Sequence, residues 1–456
     1  MRKKIFYGFG GLSYSVISQT ITNFFMFFAT SVIGLSGTLV GVAIAISTIW
    51  DGISDTLIGY FSDYYPIKGF GRRNGYMLIA TIGMSVFNIV LWCIPISISP
   101  VIKFIWITVT LLILETFNTM FSTPHSALCN ELVDDYHDRT KLGAYSTIFY
   151  LIGIIIPSIL LVVFLPNTTE YPIGQLNPMG YKYIAITTSA ICLCFGLICA
   201  LFTINKTNIN KNKEKNINNS VREKTKLFSN FFSAFKDKRL KKIILGYVLT
   251  SISTVFLCSV GLHFFTYSFF YTSRQITILL LTLILGTIAS QPLWVKISNF
   301  KRKKPALIIG ILMTVLAVFG VILIYLFRID LYKISFYLMV FAILICGLGS
   351  GALYNLPTSM YRDVVGDICK DGDNLNATYS GVLTFASNMA NSITQLIVGV
   401  LLDLVHFDSS LEVQTLSVQT ALALILFIGV EVTLILAFLI FNGVKENKNY
   451  DKISKT

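Results

Sequence analysis

Long apolar segments alternate with short polar ones along the whole chain. A helix of about 20 apolar residues crosses the ~30 Å hydrocarbon core of a bilayer, and lipid offers backbone groups no hydrogen-bond partners. Segments of this length recur twelve times, and their residues do not alternate as barrel strands do. The pattern predicts an all-α membrane protein whose twelve transmembrane helices cover residues 5–33, 38–62, 75–97, 102–129, 142–165, 181–204, 242–270, 275–297, 305–327, 334–357, 376–404 and 417–442.

Basic residues collect in alternate loops and set the predicted orientation. They cluster in residues 2–4, 205–239, 301–304 and 445–456, whereas the intervening loops contain few. Because positive charge gathers on the cytoplasmic side of a membrane, we expect both termini and the central segment to be cytoplasmic. The net charge of +13 then follows from membrane topology, and we expect no nucleic-acid partner.

The overall composition agrees with a membrane protein. Hydrophobic residues make up 54% of the chain and charged residues 13%, against roughly a quarter charged in soluble domains. The cysteines lie mostly in apolar runs without metal-ligand spacing, so we expect no disulfide and no cofactor. The first apolar run is too long for a cleaved signal peptide. We expect a multi-pass protein of a bacterial plasma membrane.

One polar segment divides the chain. Residues 205–239 are rich in Asn and Lys, a composition typical of a flexible linker. The predicted domains are therefore a six-helix bundle at 1–204, this cytoplasmic linker, a second six-helix bundle at 240–444 and a cytoplasmic tail at 445–456. Paired repeats of this kind hold substrate near the midplane between the halves.

Two carboxylates lie inside the second predicted helix. Asp51 and Asp55 are four residues apart, so they share one helical face, with Ser54 beside them. An ionisable side chain in the bilayer costs several kcal/mol, and two carboxylates with a hydroxyl suit Na⁺ or, through protonation, H⁺. The alternative is a solvated pair near the helix end. The other membrane carboxyls, Glu115 and Glu431, are expected to be neutral structural groups.

Charges of both signs flank the predicted cytoplasmic helix ends. Such clusters can form salt bridges that hold an inner gate shut and break when it opens, and the alternative is solvated loop charge of little energetic value. The predicted gate residues are Asp63, Arg72, Arg73, Glu131, Arg139 and Asp363.

Several short motifs occur together along the chain. They are Tyr7-Gly8-Phe9-Gly10, Trp50-Asp51-x-x-x-Asp55, Gly59-x-x-x-Asp63, Pro124-x-Ser126-Ala127-Leu128, Asp138-Arg139-Thr140 and Met360-x-x-Asp363. This set resembles that of the glycoside–pentoside–hexuronide:cation symporter family, a branch of the major facilitator superfamily. The resemblance implies the major facilitator fold and transport by alternating access, with a cation site at Asp51, Ser54, Asp55 and Thr119.

The same resemblance indicates a changed substrate site. Positions at which the family places charged groups for sugar binding are uncharged here, and charge-assisted hydrogen bonds are roughly twice as strong as neutral ones. We therefore expect a glycoside, an amphiphile or a peptide-like solute in a cavity of hydroxyls, amides and aromatic rings. The predicted substrate residues are Tyr14, Ser15, Thr48, Ser122, Ser126, Thr147 and Asn388.

The sequence thus predicts a cation-coupled secondary transporter of a small organic solute, monomeric in the lipid bilayer, with Na⁺ or H⁺ as coupling ion. An exporter working by antiport and a transporter-like sensor that moves no solute stay open as alternatives. No nucleophile–base pair, phosphate loop or metal set appears in the sequence, so we expect no enzymatic activity.

Overall fold

The structure is a computed structural model, and it describes residues 2–65, 67, 70, 73–133, 136–204, 237–368 and 376–444. Most of the predicted linker 205–239 and the whole predicted tail 445–456 lie outside these ranges.

The described residues form twelve long helices, which confirms the predicted all-helical fold. They are α1 (Arg2–Phe27), α2 (Gly37–Tyr64), α3 (Asn74–Trp92), α4 (Pro100–Leu132), α5 (Tyr136–Phe164), α6 (Pro178–Phe202), α7 (Lys238–Ser268), α8 (Ser273–Lys301), α9 (Lys303–Leu326), α10 (Ser335–Ile368), α11 (Asn376–Leu404) and α12 (Leu416–Asn442). A π-helical turn, Phe28–Val32, follows α1, and a short 3₁₀ turn, Gly174–Leu176, precedes α6.

Among the described helices, eleven are long and apolar enough to cross a membrane. Helix α1 does not meet that criterion, because serine, threonine, glutamine and asparagine interrupt its apolar run. It nevertheless packs along α5 and α6 inside the helical bundle. For part of its length, α1 therefore lies against other helices of the protein, and its polar side chains there have protein around them.

Local sequence signals explain where several helices begin. Helices α4 and α6 start at Pro100 and Pro178, and proline suits the first helical position because its missing N–H would be unpaired there anyway. The preceding Asn177 accepts a hydrogen bond from the backbone N–H of Met179 at 3.0 Å. Between α1 and α2 the chain turns at Gly34, whose φ of 70° lies in the region that glycine adopts freely.

Small residues allow the first helix to approach its neighbours closely. Ser15 of α1 packs against Gly153 of α5, and a Cβ added to Gly196 of α6 would lie 2.6 Å from the Ser13 hydroxyl oxygen. Membrane helices gain no hydrophobic driving force from lipid, so such close packing supplies much of their association energy.

The chain divides into two compact units. One contains the described residues of 1–215, 258–277 and 391–422, and the other those of 216–257, 278–390 and 423–456. Within the first unit, α2 packs on α4, and α3 packs on α4 and α6; within the second, α9 packs on α10. The predicted division into halves at 1–204 and 240–444 stays a prediction.

A buried asparagine links α3 to α6. Asn88 is fully buried, and its amide nitrogen donates to the Ser189 hydroxyl at 2.9 Å and lies 3.1 Å from the Thr188 hydroxyl. Its amide oxygen accepts from the Trp92 indole N–H at 3.2 Å. Each of these groups would lack a partner in lipid, so the network favours one packing of the two helices.

We predict that Asn88→Ala lowers the melting temperature of the purified protein. Loss of these bonds costs about 1 kcal/mol, within the range for polar contacts between membrane helices. The control is Thr22→Ala, because the Thr22 side chain is exposed and donates to a carbonyl of its own helix. Equal melting temperatures for the two variants would contradict this role of Asn88.

Candidate cation and substrate site

The carboxylates of α2 face hydroxyls of α4. The Thr119 hydroxyl donates to Asp51 Oδ1 at 2.8 Å, and the Thr123 hydroxyl donates to Asp55 Oδ1 at 3.1 Å. Ser54 is buried, with its hydroxyl oxygen 3.2 Å from that of Thr119. The structure therefore brings together all four predicted cation residues, Asp51, Ser54, Asp55 and Thr119, and adds Thr123. We call these five residues the α2–α4 ladder.

The spacing of both helices explains the ladder. Asp51 and Asp55 on α2 are four residues apart, as are Thr119 and Thr123 on α4, a separation of about 6 Å along the axis at 1.5 Å per residue. When two helices pack side by side, as α2 and α4 do here, pairs with the same spacing face each other. Thr119 then faces Asp51, and Thr123 faces Asp55. The Trp50 indole N–H adds a further contact by donating to the Thr116 hydroxyl at 2.8 Å.

A third carboxylate lies next to the ladder. Glu115 is one turn before Thr119 on α4 and interacts electrostatically with Asp51 and Asp55. The Asn118 amide nitrogen donates to Glu115 Oε2 at 3.2 Å. From the sequence Glu115 is expected to be a neutral structural group, and its four-residue spacing from Thr119 places both on one face of α4.

The ladder concentrates negative charge in an apolar region. Helices α2 and α3 contain no Lys or Arg, and the one such residue in α4, Lys103, lies in its first turn. Among the described residues, no three His, Cys, Asp or Glu side chains are close enough to hold a metal ion together. A cation at the ladder would therefore use hydroxyl oxygens beside its carboxylates.

Three aromatic rings of α1, α4 and α5 form a second group. The Tyr14 ring lies 5.6 Å from that of Tyr150 and 6.1 Å from that of Phe121, measured between centroids. On the same helices, Ser126 and Thr147 are exposed. The ring cluster contains one predicted substrate residue, Tyr14, and two aromatic residues, Phe121 and Tyr150, that are not among the predicted site residues.

The other predicted substrate residues have different surroundings. Ser15 is 1% exposed and its hydroxyl donates to the Leu12 carbonyl at 3.3 Å, while the Thr48 hydroxyl donates to the Ile44 carbonyl at 2.9 Å. Ser122 is half-buried on α4, between the rungs at Thr119 and Thr123.

Asn388 is half-buried on α11 and belongs to the second unit.

The predicted gate residues form ion pairs within each unit. In the first, Arg73 is buried, and its guanidinium donates to Glu131 Oε1 at 3.1 Å and to the Ser62 hydroxyl at 2.7 Å. In the second, Lys303 pairs with Asp363 at 2.5 Å. Arg72 lies outside the described residues. Asp63 and Arg139 lie on α2 and α5, but their side chains are outside the described part of the chain.

Comparison with known proteins places the chain in a family. The model of the MFS/sugar transport protein family matches residues 6–443. The sodium-dependent lysophosphatidylcholine symporter 1 of Xenopus tropicalis is 22% identical over 96% of this chain and 86% of its own length. An uncharacterized symporter of Synechocystis is 28% identical, over 41% of this chain and 35% of that protein.

Solved structures show the same fold. The nucleoside transporter NupG covers 98% of this chain, and the chain covers 100% of it, with a TM-score of 0.71 and 13% identity. This similarity confirms the predicted major facilitator fold. The family match also confirms that the protein is a transporter and not an enzyme. The chain belongs to the MFS/sugar transport protein family and is a multi-pass integral membrane transporter.

Proposed function

We propose that this protein is a symporter that couples the movement of a small organic solute to Na⁺ or H⁺ bound at the α2–α4 ladder. The observation that carries the proposal is the ladder itself, in which two membrane carboxylates meet two threonine hydroxyls across a helix pair. The relative from Xenopus tropicalis is sodium-dependent by name and matches nearly the whole chain, which favours Na⁺.

Electrostatic repulsion within the ladder favours binding of a cation. Asp51 and Asp55 repel each other when both are ionised. Like charges placed together away from water raise the free energy of the empty site. A monovalent cation or a proton relieves that repulsion, so the loaded ladder packs more favourably than the empty one.

The proposed substrate site shares a helix with the proposed ion site. Ser122 lies on α4 between Thr119 and Thr123, and Ser126 follows one turn later. A change in the packing of α4 when the ion binds therefore moves the residues proposed to bind solute. This shared helix is the proposed route by which the ion changes the affinity for solute.

The side chains proposed to bind solute carry no charge. In the first unit, Tyr14 offers a phenol and Ser122, Ser126 and Thr147 offer hydroxyls. These groups can hold the hydroxyls of a glycoside or the polar end of an amphiphile by neutral hydrogen bonds. The family description includes sugar transport, and the relative from Xenopus tropicalis is a lysophosphatidylcholine symporter by name. Both solute classes fit this proposal.

We also propose that the pair of Arg73 and Glu131 stabilises the cytoplasmic end of the first unit during transport. The pair joins the start of α3 to the last turn of α4. Because Arg73 is buried, removal of Glu131 would leave a desolvated guanidinium with one fewer partner. This distinguishes the pair from a solvated loop contact.

The first test is the melting temperature of the detergent-solubilised protein in Na⁺ and in choline buffer, across a range of pH. A ligand at 100 times its dissociation constant stabilises the folded state by about 2.7 kcal/mol. We expect Na⁺ to raise the melting temperature of wild type and to leave that of Asp51→Asn/Asp55→Asn unchanged.

The control for this test is Glu431→Gln, which alters a buried membrane carboxyl of α12 outside the ladder. It should keep the full response to Na⁺. A pH response that the double variant loses, without any response to Na⁺, would assign H⁺ as the coupling ion. Identical behaviour of wild type and double variant towards both Na⁺ and pH would reject the proposed symport.

A second prediction concerns the hydroxyl of Thr119. Thr119→Val keeps the shape of the side chain but removes the donor to Asp51, so we expect an apparent Na⁺ affinity at least about tenfold weaker, equivalent to about 1.4 kcal/mol. Thr119→Ser should retain the affinity. The matched control is Thr108→Val, since Thr108 of α4 donates to the Phe104 carbonyl of its own helix. Titration of the Na⁺-dependent melting shift measures all three.

A third prediction compares two ion pairs by double-mutant cycles. The cycle of Arg73→Ala and Glu131→Ala should give a coupling energy of more than 1 kcal/mol, roughly the upper limit for exposed pairs. The cycle of Lys303→Ala and Asp363→Ala should fall below that limit, because both side chains are about a third exposed. Equal coupling energies from thermal unfolding would contradict the proposed difference.

A further inference from the structure

Helix α2 is capped by a residue of another helix. The Ser36 side chain, which precedes α2, makes no capping bond to it. Instead, Asp403 near the end of α11 accepts hydrogen bonds from the backbone N–H of Gly37 at 2.7 Å and of Thr38 at 2.8 Å. The Ser36 hydroxyl donates to the same carboxylate at 2.5 Å.

This carboxylate satisfies groups that α2 cannot satisfy itself. The first N–H groups of a helix have no partner within the helix, and the helix dipole places partial positive charge at that end. An aspartate that accepts three hydrogen bonds there forms charge-assisted bonds, which are stronger than neutral ones. The contact between Asp403 and α2 is therefore specific and directional.

A close helix contact continues from this cap along α2. A Cβ on Gly37 would lie 2.5 Å from the Gly399 carbonyl oxygen, and one on Gly41 would lie 2.8 Å from the Gln395 carbonyl oxygen. One turn further, the Ser392 hydroxyl donates to the Ala45 carbonyl at 2.9 Å. We call this contact between residues 37–45 of α2 and residues 392–403 of α11 the α2–α11 seam.

The seam lies at the outer end of α2. The chain enters α2 from a loop that lacks Lys and Arg, and the positive-inside rule assigns that loop to the outside. Ala45 is six residues before Asp51 on the same helix, a distance of about 9 Å at 1.5 Å per residue. One continuous helix therefore joins the seam to the ladder.

We propose that Asp403 is a positioning residue that latches the outer end of α2 to α11 and so holds the outer side of the transporter closed. The inference rests on the alternating access contained in the proposed function. When the outer side opens, α2 and α11 separate, and Asp403 loses all three donors at once. The carboxylate thus sets the balance between outer-closed and outer-open states through α2, and it does so without touching ion or solute.

The test measures opening of the seam directly. Ser392→Cys, at a position that is 1% exposed, is introduced after the native cysteines are replaced, and intact cells are treated with a membrane-impermeant maleimide. Asp403→Ala should raise the labelling rate about tenfold, because loss of the cap moves the equilibrium towards the outer-open state. The conservative Asp403→Asn keeps one acceptor oxygen and should give a smaller increase.

Two controls separate the latch from general loosening. Asp408→Asn alters a nearby aspartate that accepts from the N–H and hydroxyl of Ser410, so it should leave the labelling rate unchanged. A protein that retains only native Cys192, which is fully buried beside Ser13, reports unfolding of the helical bundle. Its labelling should not respond to Asp403→Ala.

If Asp403→Ala does not fold, the labelling rates of Asp403→Asn and Ser36→Ala test the proposal, because each substitution weakens the cap and keeps α2 intact. A labelling rate equal to wild type in these variants overturns the proposal, as does an equal increase at Cys192. The labelling needs neither Na⁺ nor a known solute. One outcome is that wild type shows no melting response to Na⁺ or pH while Asp403→Ala still increases the labelling of the seam. That result would reject the proposed symport and support the proposed role of Asp403.

Discussion

The structure depends on the free energy of holding carboxylates inside a membrane. Asp51 and Asp55 lie on a helix without basic residues, and lipid cannot solvate them. The threonine hydroxyls of α4 offset part of this cost by donating to each carboxylate. Helices α2 and α4 must therefore pack in one register, because a shift of one residue would remove both donors together. The remaining repulsion is what the proposed coupling ion would relieve.

Helix α2 joins two features that act at different ends of it. Its outer turns form the seam with α11, where glycines leave no space for side chains and Asp403 caps the helix. Its middle turns carry the ladder. Since a continuous helix moves as a semi-rigid element, a displacement at the seam also reaches the ladder. This is a physical basis for coupling between the proposed latch at Asp403 and the proposed ion site, without a chain of intermediate contacts.

Much of this arrangement can be predicted from sequence, and the limits have a physical cause. Hydrophobic length predicts the helices, and the spacing of Asp51 and Asp55 predicts a shared face, because both follow from geometry within one helix. Three features depend instead on which helices pack together. They are the bond from Thr123 to Asp55, the proximity of Glu115 to the two aspartates, and the cap that Asp403 forms on α2. Asp403 is at a helix end in the sequence and therefore resembles an ordinary solvated charge until its partner helix is known.

The hydrogen bonds of the ladder also bear on which ion it suits. The Thr119 hydroxyl has one proton, which it donates to Asp51, and two lone pairs, of which the Ser54 hydroxyl can take one. A lone pair of Thr119 is therefore free to coordinate Na⁺ while the bond to Asp51 persists. A proton can bind Asp51 Oδ2 and leave Oδ1 as the acceptor of the Thr119 hydroxyl, so protonation also keeps this bond. The donor pattern of the ladder is therefore compatible with both proposed coupling ions, because neither one has to break the bond from Thr119 to Asp51.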